Sequence, residues 1–400
     1  MKGHFYKPHC KCPKDKRCKC NATWSYIVDI GEGERKQKKK GGFKTKAEAE
    51  KACALLIAEV QKGEYVEENK VTFKEFSQQW LHLYAKTGVK ASTIRVREHE
   101  LGRLAVHLNK LKMKDITTKK YQSVLNELHI KFADNTLDGV HRTGRMIFKK
   151  AVELKVIKSD PTAYATLPKT QVTVEELENQ SDIPKFMEKE QLAKFLNTAK
   201  EKGMPRDYPM FFILAYTGMR VGELAALKWK DINFDQQTVS ITKTLYNPSN
   251  NLRGYQLHTP KTKTSRRVID VTDSVIRVLQ EHKSYQDDFR SKLPEGLYHE
   301  SDFVFAQMDF KNPGYPLYLK LIGIRMARLL KLTGLSSDLT PHSLRHTHTS
   351  LLAAAGVPFE AIMSRLGHKD DETTLHVYLH VTQERRKEAA QKFDELMRDL

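Results

Sequence analysis

The sequence predicts a multidomain protein. A small three-stranded β-sheet plus helix forms an N-terminal module, an all-α domain follows, and a mixed, mainly α domain with a small antiparallel sheet completes the chain. Three observations lead there. At 400 residues the chain is longer than one hydrophobic core usually serves. Residues 70–168 repeat apolar side chains every three to four positions without a convincing strand, whereas strand-like runs lie on either side of them. The texture then breaks: "KSDPTAYATLPKTQ" (158–171) carries two prolines, and the acidic "TVEELENQSD" after it makes 169–183 read as a linker.

Within residues 1–65, "TWSYIVDIG" (23–31) is strand-like and "GERKQKKKGGF" (33–43) reads as a turn and then a basic strand. Thr45 caps a helix expected from Lys46 to about Gln61, ending at Gly63. On it Cys53 shares a face with Ala49, Leu56, Ile57 and Val60, which makes it a core residue. The other four cysteines, Cys10, Cys12, Cys18 and Cys20, crowd into "HCKCPKDKRCKC". A reducing cytoplasm argues against disulfides and leaves zinc as the ordered alternative, although C-x-C-x5-C-x-C is not the usual C-x2-C knuckle.

In 70–168 four amphipathic stretches stand out: "TFKEFSQQWLHLY", with Phe73, Phe76, Trp80 and Leu83/Tyr84 in a stripe, "STIRVREHELGRLAVHL", "TTKKYQSVLNEL" and "TLDGVHRTGRMIFKKAVEL". Their polar faces are rich in Lys and Arg. From about 184 the pattern is mixed. "PMFFILAYTGMRVGELAAL" looks like a buried helix interrupted at Thr217-Gly218, with a second helix beginning at Arg220. "TVSITKT" and "YQLHTPKTKTSRRVIDVT" are strands, the latter folding back through a polar turn near 261–265. Helices are expected again at 273–290, 318–333, 341–355, 359–366 and 371–380, and the apolar stripe Ala389, Phe393, Leu396, Leu400 marks a last helix over 382–400.

Composition narrows the function. With 40% hydrophobic and 29% charged residues and no run of about 18 apolar residues, the chain reads as globular and without a membrane span. The start, "MKGHFYKPHCKC", has no apolar signal region, so a cytoplasmic protein is expected. The net charge is +19, and residues 1–46 hold 14 Lys/Arg against 4 Asp/Glu. Basic blocks such as "RKQKKK" suit a phosphate backbone, whose counterions are released on contact, so nucleic acid is the expected partner.

The residues that could do chemistry cluster in the last domain. In "TPHSLRHTHTS" (340–350), Thr340 caps and Pro341 opens a helix, placing His342 and Arg345 on one face near an N-terminus that favours anions. A zinc site on His342 and His346 would lack the general base, since Ser343 follows His342, and Arg345 would repel the cation. "YTGMRVGEL" sets Arg220 just after a glycine break between apolar runs, where a partly buried guanidinium needs an anion. Glu223, three residues on, could be that anion. "MSRLGHKDDETTLHVYLH" ends a helix at Gly367, presents His368 and begins another holding Tyr378.

Two arginines, two histidines and a tyrosine meet the needs of phosphodiester transfer. Arginine grips a phosphate bidentately, fixed donors serve the charge that gathers on the nonbridging oxygens, and a phenol with a free pKa of about 10 needs help to attack. A lysine on the "HTPKTKTS" turn would protonate the leaving oxygen. Together these must remove a share towards the upper end of about 8–23 kcal/mol, more than one side chain supplies.

With "TGMRVGEL", "TPKTKTSRR", "HSLRHTH", "LGH" and a tyrosine ten residues beyond that last histidine, in this order, the chain resembles the tyrosine recombinases, specifically phage and integrative-element integrases of the lambda type. The resemblance implies the tyrosine recombinase fold. It also implies an arm-type DNA-binding domain at 1–65, a helical core-binding domain at 70–168, a catalytic domain at 184–381 and a C-terminal helix at 382–400 that packs on a neighbouring subunit or in cis. Residue by residue, it makes Tyr378 the nucleophile that forms a 3′-phosphotyrosyl link and Arg220 and Arg345 the phosphate-gripping pair. Lys261 becomes the general acid, with Lys263 left open as its rival. His342 assists the tyrosine proton, His368 hydrogen-bonds the phosphate, and Glu223 supports the site. The activity implied is site-specific recombination that integrates and excises a mobile element through a Holliday junction. It would need no catalytic cofactor and would proceed as a homotetramer on core and arm attachment sites, with an excisionase and a host DNA-bending protein as accessories. The alternatives are type IB topoisomerase-like strand relaxation and a non-catalytic architectural DNA-binding protein.

Overall fold

The structure, a computed structural model, describes the chain except residues 1, 9, 11, 13–20, 32–34, 63–64, 66–69, 171–184, 261–264, 300–301, 368–371 and 382–400. It divides into two compact units, Met1–Val172 and Thr173–Leu400.

The first unit holds two cores. An antiparallel sheet runs β1 (His4–Tyr6), β2 (Trp24–Asp29), β3 (Gln37–Phe43), and Tyr26 and Val28 of β2 pack with Cys53 of helix α1 (Lys46–Gln61). The alternation of buried Tyr26 and Val28 with half-buried Ile27 and exposed Asp29 is the period-two signature of a one-sided sheet. Lys39 and Lys40 of the basic strand stand exposed. Thr45 caps α1 as expected: its hydroxyl accepts the Glu48 N–H at 3.2 Å, and the Glu48 carboxylate accepts the Lys44 N–H at 3.0 Å. Of the four clustered cysteines, Cys10 and Cys12 are half-buried, whereas Cys18 and Cys20 lie outside the described residues. Among the described residues no group of three or more His, Cys, Asp or Glu is placed to hold a metal ion.

The expected all-α region comprises α2 (Phe73–Ala85), α3 (Ala91–Leu108), α4 (Thr118–His129) and α5 (Asp134–Glu153). Phe73, Phe76 and Trp80 bury one side of α2 against Leu104, Leu108, Tyr121 and Phe148, while Leu83 is 38% exposed and Tyr84 alone completes the stripe. Gly144 is required where α5 meets α4, because a Cβ there would lie 2.2 Å from the Tyr121 hydroxyl. Arg142, Arg145 and Lys149 are exposed along one side of α5.

In the second unit α6 (Lys189–Lys202), α7 (Asp207–Thr217), α8 (Val221–Ala225), α9 (Asp273–Ser291), α10 (Leu319–Thr333) and α11 (Ser343–Ala354) surround one large core, and α12 (Phe359–Leu366) and α13 (372–381) share a smaller one with the end of α11. Every residue of α7 from Met210 to Ala215 is buried. Its first residue, Asp207, is wholly buried and pairs with Arg325 of α10 at 2.7 Å, which ties the two helices together. The small sheet runs β4 (Ile232–Asn233), β5 (Thr238–Ile241), β8 (Arg267–Asp270), and β6 (Thr244–Tyr246) pairs separately with β7 (Gln256–His258). Here the expectation of a strand folding back on itself is corrected. The chain on either side of 261–265 does not pair with itself; β7 joins β6, and β8 joins β5, where Val239 meets Ile269 in the core. Side-chain burial decides the partner, and the polar turn alone could not reveal it.

His282 lies between Trp229 and Phe305 and donates its Nε2–H to the Val304 carbonyl at 2.8 Å. Burial pushes its pKa from 6.5 down to about 4, so the fold holds the neutral ring. With the folded value below the unfolded one, the contribution to stability is complete above pH 6.5 and is lost as the pH falls towards 4. At pH 5 that loss is roughly 2 kcal/mol. The melting temperature should therefore fall between pH 7 and pH 5, and His282→Asn should start lower but lose less over the same interval. An unchanged pH slope in the variant would contradict the assignment.

Candidate active site

Three chain segments meet at Arg345. Only 2% of this residue is exposed, and its guanidinium donates from Nη1 to the Gly218 carbonyl at 2.6 Å and from Nη2 to the Leu366 carbonyl at 2.7 Å. Gly218 is the left-handed C-cap of α7, φ +63°, two residues before Arg220; Leu366 ends α12, two residues before His368. A single planar fork thus joins the ends of two helices to α11, which a lysine's point charge would not do. The junction is tight: a Cβ on Gly218 would sit 2.6 Å from His348 Cδ2 and 2.8 Å from Leu366 Cδ2.

Arg220 is the N-cap of α8 and its side chain is 36% exposed. Glu223, 3% exposed, accepts from Arg220 Nη1 at 3.0 Å and from the Arg220 backbone N–H at 2.9 Å. The sequence pointed to this pair but not to the second arginine on the same carboxylate: Arg267 donates from Nη2 to Glu223 Oε2 at 2.9 Å and from Nη1 to Oε1 at 3.3 Å. Burial alone would raise the Glu223 pKa, yet the hydrogen bonds and charges of Arg267 and Arg220 hold it below the ordinary carboxylate value. Arg267 lay inside the "TPKTKTSRR" motif, but its partner is 44 residues away and only the fold joins them.

A third element was also missed. His348, to which no role was assigned above, donates Nδ1–H to the Ala215 carbonyl at 2.8 Å and accepts from Arg365 Nε at 3.1 Å on Nε2. A carbonyl only accepts and a guanidinium only donates, so the ring is the neutral Nδ1–H tautomer. Burial, with the Arg365 charge second, pushes its pKa down to about 4. Arg365 also donates to the carbonyls of Asp270 and Tyr216, at 2.9 and 3.2 Å, and so pins α12 to β8 and to α7.

The remaining expected residues fall out as follows. His342 precedes α11, which starts at Ser343 and not at Pro341; Thr340 closes a turn, its N–H donating to the Ser343 hydroxyl at 3.1 Å and its carbonyl accepting the Ser343 N–H at 2.8 Å. The His342 ring stands edge-on to His346, centroids 4.7 Å apart. Tyr378, half-buried on α13, packs its ring on Phe359 of α12 at 5.2 Å and against the cluster of Ala353, Ile362 and Leu366. Helix α12 therefore carries Tyr378 on its first turn and receives Arg345 at its last carbonyl, with about 10 Å of helix between Phe359 and Leu366. Lys261, Lys263 and His368 lie outside the described residues.

Taken together, Arg220 and Arg345 lie on separate segments, Glu223 sits between the Arg220 and Arg267 guanidiniums, and Tyr378 of α13 packs against α12, whose last carbonyl Arg345 grips. Comparison with known proteins agrees. A model described as the phage integrase family matches residues 185–385, an arm DNA-binding domain matches 15–60, and a phage integrase N-terminal SAM-like domain matches 72–129. The integrase of Staphylococcus phage L54a is 28% identical over 341 residues, covering 82% of this chain and 94% of its own. A structure of the Tn1549 transposon integrase in complex with a circular intermediate DNA is similar at a TM-score of 0.61 and 21% identity, covering 78% of this chain and 99% of that one. A lambda integrase tetramer bound to a Holliday junction is similar at 0.57 and 18%, covering 88% and 91%. No helix among the described residues is long and apolar enough to cross a membrane. Since the family model spans half of the 400 residues and its fold is the one observed, the chain belongs to the phage integrase family and is a tyrosine recombinase.

Proposed function

We propose that the protein integrates and excises a mobile element by cutting and rejoining DNA at Arg220, Arg345, His342, Lys261, His368 and Tyr378. The observation that carries this reading is the Arg345 fork, which joins the end of α7, two residues before Arg220, to the end of α12 through the Gly218 and Leu366 carbonyls. In the first step the Tyr378 hydroxyl attacks the scissile phosphorus and loses its proton with help from His342. The 5′-oxygen departs and takes a proton from Lys261, leaving a 3′-phosphotyrosyl link and a free 5′-hydroxyl. Arg220, Arg345 and His368 serve the nonbridging oxygens, where negative charge gathers in the transition state. One phosphodiester is exchanged for another, so the linkage survives in the phosphotyrosine and ATP has no part in the exchange. A 5′-hydroxyl from a partner strand reverses the step and builds a Holliday junction.

Support for the DNA partners comes from charge and family. Lys39 and Lys40 stand exposed on β3 in the arm-domain match, and Arg142, Arg145 and Lys149 line one side of α5 in the helical region. In this reading residues 1–65 grip arm sites, 70–168 and 184–381 hold the core site, and four copies assemble on the two duplexes, as lambda integrase does on its junction.

On a nicked core-site duplex that lets the cut product diffuse away, the wild type should accumulate a covalent adduct and Tyr378→Phe should form none. An adduct in the Phe variant would remove Tyr378 from its role. Arg220→Ala should slow single-turnover cleavage by about 10²–10³-fold while core-site affinity changes little. Arg345→Ala should also lower the melting temperature, because it deletes two buried charge-assisted hydrogen bonds of about 1.5–3 kcal/mol each. Parallel losses of rate and affinity would instead mark these arginines as ordinary backbone contacts. Deleting residues 1–65 should leave core-site cleavage intact and abolish integration between arm-bearing sites. An equal loss of both would contradict the division of labour.

A further inference from the structure

We propose that Arg267 is a positioning residue for strand cleavage: by sharing the Glu223 carboxylate it keeps the Arg220 guanidinium oriented, yet incompletely neutralised, for the scissile phosphate. This rests on Arg220 being a phosphate-gripping residue.

Glu223 faces two guanidiniums. Its Oε1 accepts from Arg220 Nη1 at 3.0 Å and Arg267 Nη1 at 3.3 Å, and its Oε2 accepts from Arg267 Nη2 and the Arg220 backbone N–H, both at 2.9 Å. The cluster of two cations and one anion keeps a net positive charge. Without Arg267 the Arg220–Glu223 pair would be neutral, and a buried carboxylate would repel an incoming phosphate. Burial divides the two arginines by task. Arg220 is 36% exposed and presents donors outward; Arg267 is 6% exposed and its other donors face inward. Its Nε donates to the Arg365 carbonyl at 2.7 Å and its Nη1 to the Ser265 carbonyl at 3.2 Å. Arg267 therefore also ties the last turn of α12 and the Ser265 backbone to the Glu223 carboxylate that holds Arg220. Three directions at once require the planar fork of arginine.

The test compares single-turnover cleavage by saturating enzyme on two nicked core-site duplexes, one with the natural scissile phosphate and one with a methylphosphonate there. The methylphosphonate lacks the charge that a guanidinium balances. Arg267→Met should slow the natural linkage by about 10- to 100-fold and the neutral linkage by less than about threefold, and Arg220→Ala should follow the same pattern. Equal slowing of both linkages by Arg267→Met, or no slowing, overturns the inference while leaving the Arg220 assignment standing if Arg220→Ala stays selective. If Arg220→Ala is itself unselective, that assignment falls and this inference with it. Should the Met variant fail to melt cooperatively, Arg267→Gln replaces it under the same criterion, since it removes the charge but keeps hydrogen-bond donors.

Discussion

The buried guanidinium of Arg345 is the constraint on which the rest of the site depends. Two backbone carbonyls, one at the end of α7 and one at the end of α12, are held by a single side chain from α11. Carbonyls at helix C-termini lack intrahelical donors, so a cation there satisfies both hydrogen bonding and the helix dipole. The same contacts bring the ends of α7 and α12 to one place. On the proposed mechanism stability and chemistry draw on one residue, which is why its loss should be felt twice.

Around that hub the charges form two layers. Glu223, Arg267, Arg365 and His348 make an inner layer of mutually satisfied groups, and Arg220 stands at its outer edge. The low pKa of His348 and the lowered pKa of Glu223 have one cause in common, since neighbouring guanidiniums favour whichever form carries less positive or more negative charge. A positively charged interior of this kind is costly to assemble, and the hydrogen bonds to backbone carbonyls are what make it tolerable.

Much of this was legible in the sequence because the signals were local. Thr45 announces a helix start, and the Phe73–Phe76–Trp80 stripe names its own buried face. The motifs around Arg220, His342, Arg345 and Tyr378 pointed to phosphate chemistry from residue type and order. What was not legible is non-local. Strand β8 chose β5 over β7 because Ile269 needed Val239, and nothing in the turn at 261–265 says so. Arg267 became part of the site only through Glu223, and His348 turned out to be a tautomer-locked core residue. The start of α11 shifted from Pro341 to Ser343 because Thr340 and Ser343 bond each other reciprocally across a turn that precedes the helix.

In the proposed reaction the phenol of Tyr378 becomes joined to the 3′ side of a DNA linkage gripped by Arg220 and Arg345. Protease digestion of a trapped enzyme–DNA adduct, with mass spectrometry of the peptide that retains a nucleotide, tests it most directly. A single modified peptide is expected, containing Tyr378 and carrying a 3′-phosphoryl nucleotide. A nucleotide on any other residue, or one joined through its 5′-phosphate, would contradict it.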